Sequence, residues 1–520
     1  MKLQRWEYAA VAAIALLVGG LIALSIPGPA YTDACYYFNA GARLAAGDGL
    51  TDPYVALTYL GAPETLPVPS HTYWMPLASL IVAGAGGSFA LAQVAYVLLW
   101  AALAVLAFWL GARLGGSRRH AWGAGLLVVF CGYYAPFLVT TDTFTPFGLC
   151  GALSLLALGL GRARGDWRGF ALGGACAALA HLTRADGLLL VGVLGLVALW
   201  PERWLNRQDA KDTKKKAERL RWLLVGVGAY LLVMLPWFAR NVSVIGSALP
   251  LGGTATIWLR GYDEIVNYPA VITAGDFFAW GVGNILASRW EAFTNNLGTF
   301  VAVEGLVVLA PLIVIGLGKR WREPLLLPVW LYAVALHVAM TLVFAYPGYR
   351  GGLFHSAAAL LPWWMALGLL GLDDAVNWIA ARRRHWRAAT AQRFFTLAVL
   401  VIAAALTIFV TGARLRGAGV MPGFARLTRD LLPSDAVVMS NDPAALYYYT
   451  GRSGVVVPNG GPDVIRALVE RYGVTHVLLD ENRTAPLDDL YSGRVAPPDF
   501  LREVPQTIAP SVRLFEVVLP

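Results

Sequence analysis

Residues 8–37, YAAVAAIALLVGGLIALSIPGPAYTDACYY, join a long apolar segment to a short acidic and aromatic stretch. The segment Tyr8 to Ile26 is long enough to span a bilayer as a helix, which needs about 20 apolar residues. Asp33 follows shortly afterwards and precedes Tyr36 and Tyr37. A carboxylate held at a membrane surface beside aromatic rings is suited to deprotonate a hydroxyl group next to a lipid.

The composition of the chain predicts a multi-pass membrane protein. Of its 520 residues, 58% are hydrophobic and 14% are charged, whereas soluble domains carry about 25% charged residues. Met1 to Arg5 has the charge of a signal-peptide start, but no convincing small-residue cleavage site precedes the acidic loop. We therefore interpret Tyr8 to Ile26 as a retained first helix.

The net charge of +9 reflects membrane topology, and no nucleic-acid partner is expected. Basic residues fall in short clusters between apolar runs, which is the pattern of cytoplasmic loops. The strongest cluster occupies Pro201 to Arg221, which we place on the cytoplasmic side. Weaker clusters on the same side are Arg113/Arg118/Arg119, Arg162/Arg164/Arg168, Lys319/Arg320/Arg322 and Arg382/Arg383/Arg384/Arg387.

Apolar runs near spanning length predict about 11 membrane helices. They are Tyr8 to Ile26, Phe89 to Ala112, His120 to Val139, Pro146 to Leu160, Gly169 to Leu182, Gly187 to Trp200, Trp222 to Ala239, Phe300 to Gly318, Leu325 to Tyr346, Ala357 to Leu372 and Phe394 to Val410. Counting Trp74 to Gly87 as a crossing would move Pro201 to Arg221 outside. We therefore interpret that run as a short helix on or dipping into the outer face, unless a neighbouring span is miscounted.

This topology places the polar segments on the outer face. They are the first loop (27–73), the turn Thr140 to Thr145, the break Thr183 to Asp186, the large loop (240–299), the turn Pro347 to Ser356 and everything after Thr411. Residues 1–411 are thus predicted to form an α-helical transmembrane domain and residues 412–520 a small extracytoplasmic α/β domain. In that tail the predicted strands are Ala436 to Met439, Gly454 to Val457 and Thr475 to Leu479, and the predicted helix is Asp463 to Tyr472.

Candidate residues for chemistry each have a structural alternative. Asp33 is either a general base or the N-cap of a helix over Ala34 to Ala46. Asp142 is either functional or a turn residue ahead of a helix with Pro146 at its first position. Arg184 either binds a substrate or forms an ion pair with Asp186.

Other polar residues remain open in the same way. Arg350 and His355 flank a Gly-Gly turn, where an arginine also often extends to lipid headgroups. Glu304 stands alone in an apolar run and is either functional or extended towards the headgroups. The seven His and four Cys show no metal or disulfide spacing, so no catalytic zinc is predicted.

Several short motifs occur in an order that resembles one superfamily of membrane enzymes. The motifs are Asp33 with Tyr36/Tyr37, Gly49-Leu50-Thr51-Asp52-Pro53-Tyr54, Tyr73-Trp74-Met75-Pro76-Leu77, Asp142, Leu182-Thr183-Arg184-Ala185-Asp186-Gly187-Leu188, Pro236-Trp237-Phe238-Ala239-Arg240-Asn241 and Tyr349-Arg350. They resemble the GT-C integral-membrane glycosyltransferases, specifically bacterial relatives of the protein O-mannosyltransferases and the lipid A aminoarabinose transferase. The likeness covers most of residues 1–375. It departs from the family at Ala185, where the family has Pro, and at Met75, where aminoarabinose enzymes often have a phosphate-contacting Lys.

The resemblance implies inverting transfer of a sugar from a polyprenyl-phosphate donor to a glycan, lipid or protein acceptor in the bilayer. It implies that Asp33 is the general base and that Asp142 orients the acceptor or binds a divalent cation. No cofactor is firmly predicted, since related enzymes differ in metal dependence. The residues implied to offset the phosphate charge are Arg350, Arg240 and His355, and those implied to contact substrate are Tyr36, Tyr37, Tyr73 and Arg184.

Two functions of other classes stay open. A transporter or flippase of a lipid-linked intermediate would usually contain internal repeats and broken helices near the membrane midplane, and no repeat is detectable in this sequence. A non-catalytic membrane assembly factor would use its tail to bind a partner, and it would tolerate the loss of the Asp33 carboxylate.

Overall fold

The computed structural model describes residues 3–201, 213–383, 386–417, 429–505 and 511–518. The chain folds into two compact units. The first unit contains Met1–Pro27, Gln93–Ala239 and Arg289–Arg414, and the second contains Gly28–Ala92, Arg240–Ser288 and Leu415–Pro520. Much of the basic segment Pro201 to Arg221 lies outside the described residues, as do Lys2 and Arg384.

Helices dominate the described chain. They are α1 (Arg5–Leu24), α2 (Thr32–Ala46), α3 (Leu77–Gly84), α4 (Phe89–Gly115), α5 (Arg118–Val129), α6 (Phe144–Arg164), α7 (Trp167–Thr183), α8 (Leu188–Leu199), α9 (Thr213–Ile245), α10 (Leu251–Ala255), α11 (Ala274–Ala279), α12 (Val282–Thr299), α13 (Ala310–Arg320), α14 (Leu327–Val338), α15 (Ala345–Pro347), α16 (Leu353–Ser356), α17 (Leu361–Ala380), α18 (Ala388–Gly417), α19 (Pro443–Thr450), α20 (Pro462–Tyr472) and α21 (Asp488–Ser492). The strands are β1 (Thr51–Asp52), β2 (Tyr54–Val55), β3 (Val68–Pro69), β4 (Val437–Ser440), β5 (Ser453–Val456), β6 (His476–Leu479), β7 (Leu501–Glu503) and β8 (Arg513–Val517).

Several helices have the length and hydropathy to cross a membrane. Within the described part of the chain there are 6 of them, namely Arg5–Leu24, Phe89–Gly115, Phe144–Arg164, Lys216–Ile245, Ala345–Ala380 and Ala388–Arg416. The chain is therefore a multi-pass α-helical membrane protein, as predicted. The expected total of about 11 crossings stays a prediction.

Glycines let helices of the first unit approach one another closely. A Cβ atom on Gly169 of α7 would lie 2.4 Å from the Cα of Gly161 on α6. A Cβ atom on Gly371 of α17 would lie 1.8 Å from the carbonyl oxygen of Leu312 on α13. Small residues at such crossings are typical of membrane helix packing, where van der Waals contact replaces the hydrophobic effect.

The run Phe300 to Gly318 does not form the single helix that was predicted. A π-helical turn at Phe300–Glu304 follows α12, and a break separates it from α13. Leu306 in the break adopts a positive φ of 45°, and Glu304 beside it is buried. The Glu304 carboxylate accepts a hydrogen bond from Trp364 Nε1 (2.7 Å) and contacts His337 Nε2 (3.0 Å). A buried carboxylate requires such partners, so Glu304 does not extend towards the headgroups.

One other predicted helix is shorter than expected, and one apolar run forms the short helix that was predicted. The run His120 to Val139 is helical only as far as Val129, and Gly132 then turns the chain with a φ of 60°. The run Trp74 to Gly87 contains only α3, which has 8 residues. At 1.5 Å per residue α3 is about 12 Å long, too short to cross a hydrocarbon core of about 30 Å. The short helix predicted for that run is confirmed.

A six-stranded sheet forms the core of the second unit, in the order β2-β5-β4-β6-β8-β7. Strands β2, β5, β4 and β6 are parallel, and β8 and β7 are antiparallel to their neighbours. Strands β4, β5 and β6 and helix α20 are the elements predicted for the tail, so the small α/β region is confirmed. The edge strand β2 was not predicted. It comes from the first loop, and its Tyr54 pairs with Gly454 of the tail.

The contact between α13 and α17 predicts which glycine substitutions destabilise the protein. Gly371→Ala forces a methyl group against a backbone carbonyl, and overpacking of this kind costs about 1–3 kcal/mol. We expect a lower unfolding temperature for this variant in detergent, measured by nano-differential scanning fluorimetry. The matched control is Gly318→Ala on α13, where nothing lies within 4 Å of the new Cβ. Equal unfolding temperatures for the two variants would contradict the close contact between Gly371 of α17 and Leu312 of α13.

Candidate active site

Helix α2 places Asp33 in its first turn. The helix begins at Thr32, and its N-cap is Tyr31, which is extended (φ −160°, ψ 165°) and makes no side-chain capping bond. The interpretation of Asp33 as the N-cap is therefore wrong, because the helix starts two residues earlier than predicted. A carboxylate in the first turn lies at the positive end of the helix macrodipole, which stabilises its negative charge. Asp33 is partly exposed.

Buried aromatic side chains anchor the same helix. Tyr36 and Tyr37 are both buried. The Tyr36 hydroxyl accepts a hydrogen bond from the backbone N–H of His71 (2.7 Å), and its ring centroid lies 4.5 Å from that of Trp74. The Tyr37 ring stacks with the His71 ring at 6.2 Å. Both tyrosines predicted to contact substrate thus also fix α2 against the first loop.

The loop-1 cluster consists of Tyr36, Asp52, His71 and Arg240. Burial raises the pKa of Asp52 to about 8, although the Tyr36 hydroxyl and the charges of Arg43 and Arg240 act in the opposite direction. Burial, and then the charge of Arg240, lowers the pKa of His71 to about 3. At neutral pH the cluster therefore contains a largely protonated carboxyl group and a neutral imidazole. Among the described residues, Asp52 Oδ1 has no hydrogen-bond partner.

Arg240 holds the backbone of the first loop. Its guanidinium donates to the carbonyl oxygen of Ser70 (2.7 Å) and to Asn241 Oδ1 (3.1 Å). His71, the residue after Ser70, has a φ of 59°. A non-glycine residue held at positive φ costs conformational free energy, and such residues concentrate at functional sites. Our sequence interpretation included Arg240 but missed His71 and Asp52. The Asp-Pro-Tyr motif was a signal for Asp52, whereas no local pattern reveals the backbone conformation of His71.

Residues of the first loop also line a small, partly open cleft. The Tyr73 ring packs edge-on against Trp74, with centroids 5.6 Å apart. Two of the predicted substrate contacts, Tyr36 and Tyr73, therefore share one concave surface. Its aromatic and acidic lining is formed by Tyr36, Asp52, Tyr54, Tyr73 and Trp74.

Asp142 and His355 form a buried pair in the first unit. Asp142 Oδ1 accepts hydrogen bonds from the backbone N–H and the hydroxyl of Thr143, and Oδ2 lies 3.2 Å from His355 Nε2. His355 Nδ1 is 2.8 Å from the carbonyl oxygen of Gly351 and must donate there, because a carbonyl only accepts. Attraction between Nε2 and Oδ2 then requires a proton or a cation. The pair can thus hold a proton or offer two ligand atoms to a divalent cation.

Arg184 is linked to this pair through one hydroxyl group. Its Nε lies 3.1 Å from Asp186 Oδ1 and 3.2 Å from Ser356 Oγ. Its Nη1 lies 3.5 Å from Thr143 Oγ1, which in turn donates to Asp142. The ion pair between Arg184 and Asp186, which was the structural alternative to substrate binding by Arg184, is present. It fixes a guanidinium close to the Asp142 carboxylate.

Arg350 is an exposed side chain on a tight turn of the first unit. The turn Gly348–Gly352 is sharply kinked at Gly351, where φ is 139° and ψ is −23°. Glycine adopts this conformation without the steric penalty that a Cβ would bring. The neighbouring Tyr349 hydroxyl donates to Glu291 Oε1 (3.2 Å) and holds the turn.

The sequence matches one known family over part of its length. Residues 84–242 match the family model described as dolichyl-phosphate-mannose-protein mannosyltransferase. No curated protein sequence matches the chain.

Solved structures extend the comparison to nearly the whole chain. ArnT from Cupriavidus metallidurans bound to undecaprenyl phosphate is similar with a TM-score of 0.57 and 14% identity, over 98% of this chain and 97% of that chain. The Archaeoglobus fulgidus oligosaccharyltransferase in the apo form is similar with a TM-score of 0.55 and 13% identity, over 92% of this chain and 70% of that chain. The chain therefore has the fold of these two proteins, and the fold resemblance predicted from the motifs is confirmed.

The buried Asp52 predicts a specific dependence of stability on pH. Its pKa is about 8 in the folded protein and about 3.9 in an unfolded chain. The folded state therefore binds more protons between these values, and its stability falls as pH rises from about 4 to about 8. Asp52→Asn removes this loss. We expect the unfolding temperature of the variant, relative to wild type, to increase between pH 5 and pH 8.

The control for this measurement is Asp48→Asn, which changes an exposed acid paired with Arg43 at 3.3 Å. It should leave the pH dependence of wild type intact. A constant difference between Asp52→Asn and wild type across this pH range would show that Asp52 is ionised in the folded protein.

Proposed function

We propose that this protein is an inverting glycosyltransferase that moves a sugar from a polyprenyl-phosphate donor to a hydroxyl group at the outer face of the membrane. The observation that carries the proposal is the match of residues 84–242 to a family whose members transfer mannose from dolichyl phosphate to protein. The GT-C fold and the partly exposed carboxylate of Asp33 support it. The acceptor is a glycan, lipid or protein.

The proposed reaction needs a base more than it needs an activating group. A sugar on a polyprenyl phosphate is already activated, because phosphate is a good leaving group. Asp33 takes the proton of the acceptor hydroxyl while the acceptor oxygen bonds to the anomeric carbon from the face opposite the phosphate. The bond between that carbon and the phosphate oxygen breaks, and the phosphate departs with the electron pair.

A cation has to balance the charge that develops on the departing phosphate. Arg350, Arg240 and His355 are the proposed groups. Arg350 is exposed on its turn, and Arg240 is held by a backbone carbonyl and an amide oxygen. Asp142 is the proposed second acid, and its contact with His355 allows it to orient the acceptor or to share a divalent cation.

Asp33→Asn tests the proposed base. Asparagine keeps the shape of the side chain but cannot accept the proton, and a general base contributes about 10² to 10⁴ in rate. We expect a folded, membrane-inserted variant that still binds the polyprenyl-phosphate donor and loses transfer by that factor. The assay measures transfer from a panel of labelled polyprenyl-phosphate sugars. Asp142→Asn should be less severe, and Asp48→Asn at the other end of α2 should keep wild-type activity.

Normal turnover by Asp33→Asn, with expression and insertion verified, would refute the assignment of the base. Absence of transfer by wild type from every donor in the panel would argue against the enzyme itself and favour the transporter or assembly-factor alternatives.

Arg350 variants test how the phosphate is held. Lysine keeps the charge but loses the two-pronged guanidinium geometry. We expect Arg350→Lys to retain partial transfer and Arg350→Ala to lose about 10² to 10³ in rate. The control is Arg260→Ala, which removes a half-exposed guanidinium paired with Glu264 at 2.7 Å. If Arg350→Ala transfers as fast as the control, Arg240 becomes the next candidate.

A further inference from the structure

The residue immediately before Asp33 is bound to the tail of the chain. Thr32, the first residue of α2, donates its hydroxyl hydrogen bond to Asp442 Oδ2 at 2.5 Å. The two residues are 410 positions apart in sequence. This bond joins the helix that carries the proposed base to the C-terminal part of the chain.

Asp442 is itself held in place at both carboxylate oxygens. Its Oδ1 accepts a hydrogen bond from the backbone N–H of Ala445 (2.9 Å) and caps helix α19. It lies two residues after the end of the central strand β4, which is paired on both sides, by β5 and β6. A group attached to the end of a central strand is positioned more rigidly than one on a loop.

Helix α19 also packs along α2, so the bond does not act alone. The Asn39 amide on α2 donates to the Ala444 carbonyl oxygen at 2.8 Å. The Phe38 ring meets the Tyr448 ring edge-on, with centroids 5.4 Å apart. Contacts with α19 therefore begin at the first residue of α2 and continue for two turns along it.

A buried thiol, that of Cys35, lies in the first turn of α2, two residues after Asp33. Cys35 is buried and its Sγ contacts the carbonyl oxygen of Pro29 at 3.3 Å. Burial raises the pKa of the Cys35 thiol, and the negative charges of Asp442 and Asp33 raise it further. Both carboxylates thus act on one buried group in the first turn of α2.

We propose that Asp442 is a positioning residue that fixes the first turn of α2 through Thr32 and so orients the Asp33 carboxylate towards the acceptor. The C-terminal sheet would then be part of the catalytic apparatus. This inference rests on the proposed function, in which Asp33 is the base. A misplacement of about 1 Å in such a group can cost about 10² in rate.

Substitutions on both sides of the bond test the proposal in the transfer assay. Thr32→Val removes the hydroxyl and keeps the shape, and we expect kcat to fall by about 10-fold to 10²-fold with little change in KM. Thr32→Ser keeps the hydroxyl, so its kcat should equal that of wild type. Asp442→Asn should retain most of the activity, because its amide can still cap α19 and bond to Thr32, whose hydroxyl also accepts. Asp442→Ala should resemble Thr32→Val.

A matched control exists in the same unit. Thr273 caps α11 and donates to Asp276 Oδ2 at 2.6 Å, so Thr273→Val removes the same kind of threonine–aspartate bond away from α2. We expect its kcat to equal that of wild type. A Thr32→Val enzyme with wild-type kcat, or one whose defect lies only in KM, would overturn the proposal.

Hydrogen–deuterium exchange separates this proposal from the proposed function. The amide of Cys35 is bonded to the carbonyl oxygen of Tyr31 (2.9 Å) in the first turn of α2. We expect peptides covering this turn to exchange faster in Thr32→Val and Asp442→Ala than in wild type, Thr32→Ser and Thr273→Val. Unchanged exchange would overturn the positioning role. Faster exchange in a protein that transfers no sugar would keep the link between Thr32 and Asp442 and refute the transferase.

Discussion

The second unit depends on one buried side chain, the amide of Asn39. Its Nδ2 donates to the carbonyl oxygen of Ala444 (2.8 Å) and contacts the hydroxyl of Tyr54 (3.2 Å). These three residues belong to α2, to the tail helix α19 and to the first-loop strand β2. An amide buried without partners costs about 2–7 kcal/mol, so these two bonds stabilise the packing of the three segments against one another. They also hold the helix that carries Asp33.

In the first unit, buried charged side chains likewise have hydrogen-bond or ion-pair partners. Glu304 takes hydrogen bonds beside the break between α12 and α13, and Asp142 takes them in the turn before α6. Arg184 and Asp186 pair in the turn between α7 and α8. Helix ends already carry unsatisfied backbone groups, and irregular backbone at membrane depth is tolerated only inside protein or beside water. Polar chemistry therefore collects where the helices stop.

Composition and apolar runs were sufficient to predict the membrane class, most of the helices and the three parallel tail strands. They were insufficient for β2, because a strand as short as Tyr54–Val55 has no periodicity and exists only through its partner. The break near Glu304 was missed because an apolar run does not show where a buried carboxylate finds its donors. At the site, the motifs identified Asp33 as a candidate. Asp52 and His71 were not identified, because the raised pKa of Asp52 comes from burial and the feature of His71 is its backbone conformation.

Met75 stands where the resemblance implies a lysine that contacts phosphate, and this has a consequence for the proposed chemistry. Methionine is uncharged, and Met75 is buried with 1% of its surface exposed, so this position provides no charge for a phosphate. The positive charge that offsets the phosphate must then come from guanidinium groups such as those of Arg240 and Arg350. Guanidinium binds phosphate through two parallel hydrogen bonds, whereas ammonium acts as a point charge. Under the proposed function, the donor phosphate would therefore be held in a fixed orientation, which suits a reaction that requires attack opposite the leaving group.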